Sequence, residues 1–336
     1  MSFDYTNNDN ELTNELTNES MEDSMKKIHY KYYDEWIQNF ALNLENIWNE
    51  HSANDLVSLP GNSKNTQNSA IVIGKGPSVD KNKHLELLAE SDYKGNIICC
   101  DGKLKDTLRK GVTPDKFPNF FVVTIDPYDW TKQNFEDKII NEFGSKIKGI
   151  FTTIANPLTI QQARDTGIKI HWMHSLFDLN EGKKSFNYIS SIMVRSKNHT
   201  RGLPAIQTGG NVGTSSWFVA WKILKCSTVS LIGINHGWEE DDSFDKIIKH
   251  GRNDVSFDIK EDSVEFKKLF PKIFNPDLNK FCILDPLFQF YSNALKEFIL
   301  RSPDWVTTIN STEGGSIFGE RIQQMPFIDF LKHYKV

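Results

Sequence analysis

The sequence predicts an α/β fold: a doubly wound, mainly parallel sheet with helices on both faces, an N-terminal helix before it and a mixed helical insertion within it. Three observations predict it. Short apolar runs at Ala70–Ile73, Ile97–Cys100, Phe120–Ile125 and Thr228–Ile232 read as strands buried on both faces. Helix-spaced segments alternate with these runs, without the long meander of an antiparallel sheet. Strand after strand ends in glycine, aspartate or asparagine, the residues that line the carboxyl edge of an open parallel sheet, where ligands bind.

Composition narrows the class. With 336 residues and 38% hydrophobic content, the chain can bury one large α/β core or two smaller ones. A net charge of −5 gives no basic field to attract nucleic acid. No apolar run reaches the roughly 20 residues of a membrane span, and the N-terminus lacks the basic and apolar regions of a signal peptide. A soluble, cytoplasmic protein is expected. Four cysteines, Cys99, Cys100, Cys226 and Cys282, lack metal-ligand spacing, and buried free thiols are expected.

Taken in order, residues 1–20 are rich in Asn, Glu and Thr and read as a disordered tail. Residues 21–68 hold a helix and a linker. Ile28, Tyr32, Trp36, Phe40, Leu44 and Trp48 recur at four-residue steps, a stripe expected to pack on the core. The main domain, 69–336, opens on Ser69–Asp80, SAIVIGKGPSVD, around which the chain is organised. A strand breaks at Gly74 and passes through Gly76, Pro77 and Ser78 into a helix that Ser78 or Asp80 can cap. Glycines there leave backbone amides unshielded, so the turn is suited to a phosphate, or is simply a tight strand–helix connection. On the ligand reading, Gly76→Val is expected to block binding in a protein that still folds.

The next two strands end in Asp101-Gly102 and Asp126-Pro127. A carboxylate at such an edge can hold a ribose hydroxyl or a metal, or can cap the following helix. Strands at Gly149–Ile154 and Ile168–Met173 flank a helix over Leu158–Thr166. Arg195, Lys197, His199 and Arg201 form a local basic cluster, read as a solvated surface or an anion clamp. A second glycine element, Thr208-Gly209-Gly210-Asn211-Val212-Gly213, precedes a helix over Trp217–Leu224 and offers a second bed for an anionic or hydroxylated group. The strand Thr228–Ile232 leads to Asn235 and His236 at another carboxyl edge. Residues 239–285 are charged and mixed, expected to be an insertion or lid. The helix Leu287–Leu300, the strand Val306–Ile309, the turn Asn310-Ser311-Thr312-Glu313-Gly314-Gly315 and a helix near Pro326–Tyr334 complete the chain.

In this order GKGPSVD, the DGK and TIDP strand ends, TGGNVG running into LIGINHGW, and INSTEGGSIFG resemble the MptE-like domain over about residues 40–330. That family contains archaeal 6-hydroxymethylpterin diphosphokinase and the motility-associated Maf proteins that glycosylate flagellins. The resemblance implies a Rossmann-like fold and a nucleotide-dependent transferase. A diphosphokinase branch implies a D-x-D-G-D cluster for magnesium and ATP; here Asp126-Pro127-Tyr128-Asp129 is a poor copy of it. The Maf branch implies transfer of a sialic-acid-like nonulosonate from a CMP-sugar. Asn235-His236-Gly237-Trp238 departs from the Q-D-L-A-like run of that branch. The glycine motif is also similar to that of bacterial CMP-sialic-acid sialyltransferases, which carry a general-base histidine before a T-S-G turn; His199 stands nine residues before Thr208.

The resemblance thus implies glycosyl transfer without a cofactor. Gly74, Gly76, Pro77, Ser78, Thr208, Gly209, Gly210, Asn211 and Gly213 are expected to hold the donor. Asp101, Gly102, Asn235, Asn310, Thr312, Glu313 and Gly314 are expected beside it, and Asp126, His199 or His236 in the chemistry. The acceptor is a glycan or protein hydroxyl. The alternative is pyrophosphoryl transfer from ATP to a pterin, with magnesium on Asp126 and Asp129. A third reading is a nucleotide- or sugar-binding module without catalysis.

Overall fold

The computed structural model describes residues 32–58, 68–178, 182–250, 259–261 and 263–334. The tail expected over 1–20, the first part of the N-terminal helix and most of the linker lie outside these residues. Helix α1 (Tyr33–Asn49) runs into the two-residue strand β1 (His51–Ser52). The main sheet then builds through β2 (Ser69–Ile73), β3 (Asn96–Cys100), β4 (Phe120–Thr124), β5 (Lys148–Thr152) and β6 (Lys169–Leu176). It continues with β7 (Ala205–Gln207), β8 (Thr228–Ile232), β12 (Thr307–Asn310) and β13 (Ile322–Gln324).

The strand order is β1-β6-β5-β4-β3-β2-β8-β12-β13, with β7 on β6. All of these pairings are parallel. From β2 the chain winds outward to β6, returns to the far side of β2 as β8, and winds outward again. The order reverses between β2 and β8, and a crevice opens there because the connections leave in opposite directions. Alternation along each strand feeds two cores. Ile71, Ile73, Ile97, Cys99, Phe120 and Val122 face one layer; Ala70, Val72, Ile98, Phe121 and Val123 face the other. The expected doubly wound sheet is the fold observed.

Local details differ from the sequence reading. The helix expected to run from Ser78 is two short pieces, α2 (Ser78–Lys81) and α3 (His84–Glu90), separated by Lys83 at φ 52°. Neither Ser78 nor Asp80 caps it: Pro77 is the N-cap residue and makes no side-chain bond. Between the strands that follow lie α4 (Leu104–Arg109), α5 (Lys138–Phe143), α6 (Pro157–Asp165) and α7 (Phe186–Met193). Helix α8 (Val212–Phe218) starts earlier than expected, because Asn211 Oδ1 accepts the Thr214 amide at 2.8 Å, and continues as a π-helical turn to Ile223.

The mixed insertion expected over 239–285 holds strands as well as helices: β9 (Trp238–Glu239), α9 (Phe244–Ile248), α10 (Val264–Leu269) and the hairpin β10 (Lys272–Asn275) and β11 (Lys280–Ile283). These three strands form an antiparallel sheet, β10-β11-β9. The hairpin signal is local: Asn275 Oδ1 accepts the amides of Asp277 and Leu278, and Asn279 takes φ 51°. Trp238, Ile247, Ile248 and Phe270 give this unit a small core of its own. Helix α11 (Pro286–Leu300) follows, capped by Asp285, and α12 (Phe327–His333) closes the chain. Among the described residues no helix is long and apolar enough to cross a membrane, and the four cysteines are buried and free.

Helix α1 is tied to the sheet's carboxyl edge by polar groups as well as by its aromatic stripe. Phe40 and Ile47 are buried, but Trp48 is 39% exposed, with its indole on the Met193 carbonyl at 2.7 Å. Buried Asn39 donates to the carbonyls of Pro127 at 2.9 Å and Ile154 at 3.2 Å. Buried Asn43 donates to those of Thr153 at 3.1 Å and Ala155 at 2.8 Å. Asn43→Leu takes the donor from two carbonyls in the interior and is expected to cost about 2 kcal/mol or more in urea unfolding. A loss below about 0.5 kcal/mol would mean that water replaces the amide.

Candidate functional site

The crevice at the switch point is framed by the turns after β2, β8 and β12, and the turn after β8, Gly233-Ile234-Asn235-His236, touches each of the others. The amides of Gly74 and Gly76 donate to the carbonyls of Ile232 at 2.8 Å and Gly233 at 2.9 Å. A Cβ on Gly74 would lie 2.4 Å from the Gly233 oxygen, and one on Gly76 would lie 2.1 Å from Asn235 Oδ1. Neither Gly74 nor Gly76 has a positive φ. These glycines are therefore required by the neighbouring turn, and their amides are already paired. That corrects the reading in which a side chain at Gly76 blocks a ligand and spares the fold.

Ser78 is buried and donates to Asn235 Oδ1 at 2.9 Å, so its hydroxyl holds the β8 turn in place of capping a helix. The β12 turn closes on the same asparagine. Gly315, at φ +76°, approaches so closely that a Cβ would lie 2.0 Å from the Asn235 carbonyl, and the Ser316 amide donates to that carbonyl at 2.8 Å. A Cβ on Gly314 would lie 3.0 Å from the side-chain Nδ2 of Asn235. Asn310 and Thr312 spend their side chains internally: Asn310 Nδ2 donates to the Ile317 carbonyl, and Thr312 Oγ1 accepts the Ile234 amide. Glu313, at φ 57°, bonds the Nε2 edge of buried His84 at 3.0 Å. Burial lowers the His84 pKa, and Glu313 opposes that shift.

The second glycine element joins from the side. A Cβ on Gly213 would meet Ile234 Cδ1 at 2.6 Å, and one on Gly210 would meet Tyr291 Cε1 of α11 at 2.6 Å. Gly209 and Gly210 have φ of +55° and +80°, a conformation that only glycine adopts without strain. Thr208 Oγ1 accepts the Gly210 amide at 3.3 Å, and Asn211 caps α8.

Charge at the strand ends is unevenly placed. Asp101 is buried after β3, and its carboxyl is pushed up to about 7, by burial first and then by the charge of Asp126. Its Oδ1 accepts the Gly102 amide at 2.7 Å; its buried Oδ2 has no partner of hydrogen-bond geometry among the described residues. Asp126 is half-buried and Asp129 exposed. The charge of Asp129 acts on Glu35 of α1, whose pKa rises through partial burial first and then through Asp129. Among the described residues, no group of three or more His, Cys, Asp or Glu side chains could hold a metal ion.

Lys75 is the cation at the crevice. It is exposed and makes no hydrogen bond or ion pair among the described residues, and a Cβ on Gly102 would lie 3.2 Å from its Cδ and 3.7 Å from its Nζ. Its ammonium thus hangs over the end of β3. Lys75 is absent from the residues expected to hold the donor, although its place between Gly74 and Gly76 is a sequence signal. Lys103, by contrast, is buried and committed to Asp80 and Asp106.

The histidines part company. His236 stands in the crevice at φ 40°, its ring 5.8 Å from that of Tyr291, and its pKa is lowered to about 3, chiefly by burial. His199 is buried, and neither ring nitrogen has a hydrogen-bond partner among the described residues. The neighbouring residues of its loop bond elsewhere: Ser196 Oγ and Asn198 Nδ2 both donate to the Trp48 carbonyl at the end of α1. No hydrogen bond, ion pair or ring contact joins His199 to the glycine turns. Arg195, Lys197 and Arg201 lie exposed on that same loop.

A family model described as 6-hydroxymethylpterin diphosphokinase MptE-like matches residues 38–241, ending before the β12 turn. Among solved structures, the chain is similar to a MAf glycosyltransferase from Magnetospirillum magneticum AMB-1, with a TM-score of 0.53 and 15% sequence identity. The similarity covers 87% of this chain and 41% of that one, so the chain spans less than half of that protein's length. At that identity the likeness is one of fold. No curated protein matches the chain.

Gly76→Ala is expected to lower stability by about 1–3 kcal/mol through overpacking against Asn235 and Gly233, measured by denaturant unfolding without ligand. Unchanged stability would return Gly76 to the role of a ligand-facing turn. Asp101 has a pH signature. Its proton is held more tightly in the folded state, so the stability it contributes is full below the ordinary value of 3.8 and is lost as pH rises toward about 7. Asp101→Asn should therefore gain melting temperature relative to wild type as pH is raised from about 4 to about 8. A difference that stays constant with pH would show an ordinary carboxylate.

Proposed function

The chain belongs to the MptE-like family, and on that premise we propose that it is a nucleotide-dependent transferase that moves a sialic-acid-like sugar from a CMP-linked donor to a hydroxyl of a glycan or protein. The observation that carries the reading is the charge arrangement at the switch-point crevice. The Lys75 ammonium, unpaired among the described residues, stands over the end of β3, and among those residues the acidic side chains do not form a cluster of metal-ligand size. Sugar transfer from CMP releases one phosphate already attached to its nucleoside. A cation and polar backbone can stabilise that charge as it develops. Pyrophosphoryl transfer instead develops charge across a chain of phosphates, which magnesium ordinarily bridges from acidic ligands.

In this reading Lys75 faces the phosphate, and Asp101 and Asp126 hold ribose hydroxyls. With its pKa near 7, Asp101 has a protonated fraction that can donate as well as accept. The second glycine turn, Thr208–Gly213, borders the sugar, and the β8 turn sets the distance between the two beds. The name of the structural neighbour, a glycosyltransferase, agrees with this assignment.

One observation favours a second reading, transfer from ATP to a pterin: Asp101 and Asp126 are close enough for one charge to raise the other's pKa. Such a pair fits part of a magnesium site, since an ion would favour loss of the Asp101 proton.

Thermal shift with CMP, CDP, ATP plus magnesium, and a pterin separates the readings. A ligand at 100 times its dissociation constant adds about 2.7 kcal/mol. CMP is expected to stabilise the protein, with or without EDTA. Lys75→Met should leave the ligand-free stability within about 0.5 kcal/mol, since the side chain is exposed and unpaired. It should weaken CMP about ten- to a hundredfold, the loss of one charge-assisted contact. Stabilisation by ATP and magnesium alone would favour the diphosphokinase, and no shift with any of the four a module without this chemistry.

A further inference from the structure

A transferase of either kind must remove a proton from the hydroxyl that attacks, and the two histidines singled out in the sequence are poorly placed to do it. His236 is a weak base, because burial holds it neutral far into acid. The loop of His199 is bonded to the end of α1. A third histidine, His250, stands two residues after α9. Its Nδ1 lies 2.6 Å from Asp285 Oδ2, and its side chain is 13% exposed. Asp285 itself is fully buried and firmly held: Oδ2 also accepts the Trp238 indole N–H at 2.7 Å, and Oδ1 accepts the Phe288 amide at 2.8 Å. The His250 ring packs 4.6 Å from that of Phe288 and 6.5 Å from that of Tyr291. Tyr291 also reaches His236 in the β8 turn and Gly210 in the second glycine turn.

We propose that His250 and Asp285 form the general-base dyad of this site, with His250 taking the proton of the acceptor hydroxyl and Asp285 fixing the ring. The buried carboxylate keeps the imidazole proton on Nδ1 and leaves a lone pair on Nε2, which has no hydrogen-bond partner among the described residues. The step balances. The acceptor O–H bond breaks and its proton passes to Nε2. The oxygen then bonds to the anomeric carbon as the carbon–oxygen bond to CMP breaks, and the phosphate leaves with that electron pair. His250 is the catalytic residue in this assignment, and Asp285 is a positioning residue. The charges of His250 and of Lys296 on α11 both act on His236 in the β8 turn, so the dyad and the turn face each other.

The step rests on the transferase reading, but the dyad would serve a pterin hydroxyl as well as a sugar or protein one. The test is therefore run with both donors on the full chain: CMP-N-acetylneuraminate with lactose, and ATP with magnesium and 6-hydroxymethyl-dihydropterin. With whichever donor turns over, His250→Ala should lose about a hundredfold or more in kcat while KM stays within about threefold. Added imidazole should restore part of that loss, as a purely structural histidine would not allow. His250→Gln should match His250→Ala in kcat with the wild-type melting temperature. Asp285→Asn should fold and lose less than His250→Ala, and the His250 nitrogen shifts should report a mixed tautomer. Turnover that survives His250→Ala, or a loss that imidazole never relieves, overturns the dyad and leaves the transferase standing. A wild-type chain that turns over neither donor overturns both.

Discussion

The four residues after β8 are the constraint on which the crevice depends. Gly233, Ile234, Asn235 and His236 lie where the winding of the sheet reverses, so the connections from β2 and β12 and the start of α8 all converge on them. Each position meets a different neighbour: Gly233 meets Gly74, Ile234 meets Gly213, Asn235 meets Gly76, Ser78 and Gly315, and His236 meets Tyr291. Contacts this tight leave no room for a Cβ, so the glycines on both sides are fixed by backbone meeting backbone. A parallel sheet has no short hairpin to set such distances. The turns must set them by contact.

Electrostatics follow from the same burial. Convergence of the turns removes water from the strand ends, which raises Asp101, lowers His236 and His84, and leaves each group uncharged more readily than it would be in solvent. Lys75 is exposed, and its stem runs past Gly102. The crevice therefore sets the exposed Lys75 ammonium beside buried groups that burial drives toward their neutral forms. That is a favourable setting for a single phosphate, whose charge is neither repelled by a carboxylate cluster nor screened by bulk water.

The segment after β9 adds what the sheet edge lacks. Its small sheet docks on the β12 turn through Asn275, whose side chain donates to the Gly315 carbonyl at 3.0 Å. The turn after α9 delivers His250 to Asp285, the cap of α11. One buried carboxylate thus starts a helix, anchors Trp238 and holds an imidazole. Stability and the proposed chemistry share that group, as expected where a charged side chain is buried with several donors around it.

The sequence by itself determined the layers, the parallel winding and most of the core strands, because runs such as Ala70–Ile73 and Phe120–Ile125 are apolar on both faces whatever stands beside them. It also marked the carboxyl-edge residues, since glycine, aspartate and asparagine at strand ends are local chemistry. What each of those residues does was decided by tertiary structure. Whether the Gly76 amide is free depends on Gly233, which lies more than 150 residues away in the chain. Whether Ser78 caps a helix or holds Asn235 depends on the same distant turn, and whether Asn310 faces a ligand depends on Ile317 across its own turn. His250 and Asp285 carry no recognisable spacing, and Asn39 and Asn43 look like ordinary polar positions on a helix. Partnership between groups far apart in sequence is created only when the sheet reverses its winding and brings them to one edge, and a pattern read along the chain holds no record of that distance.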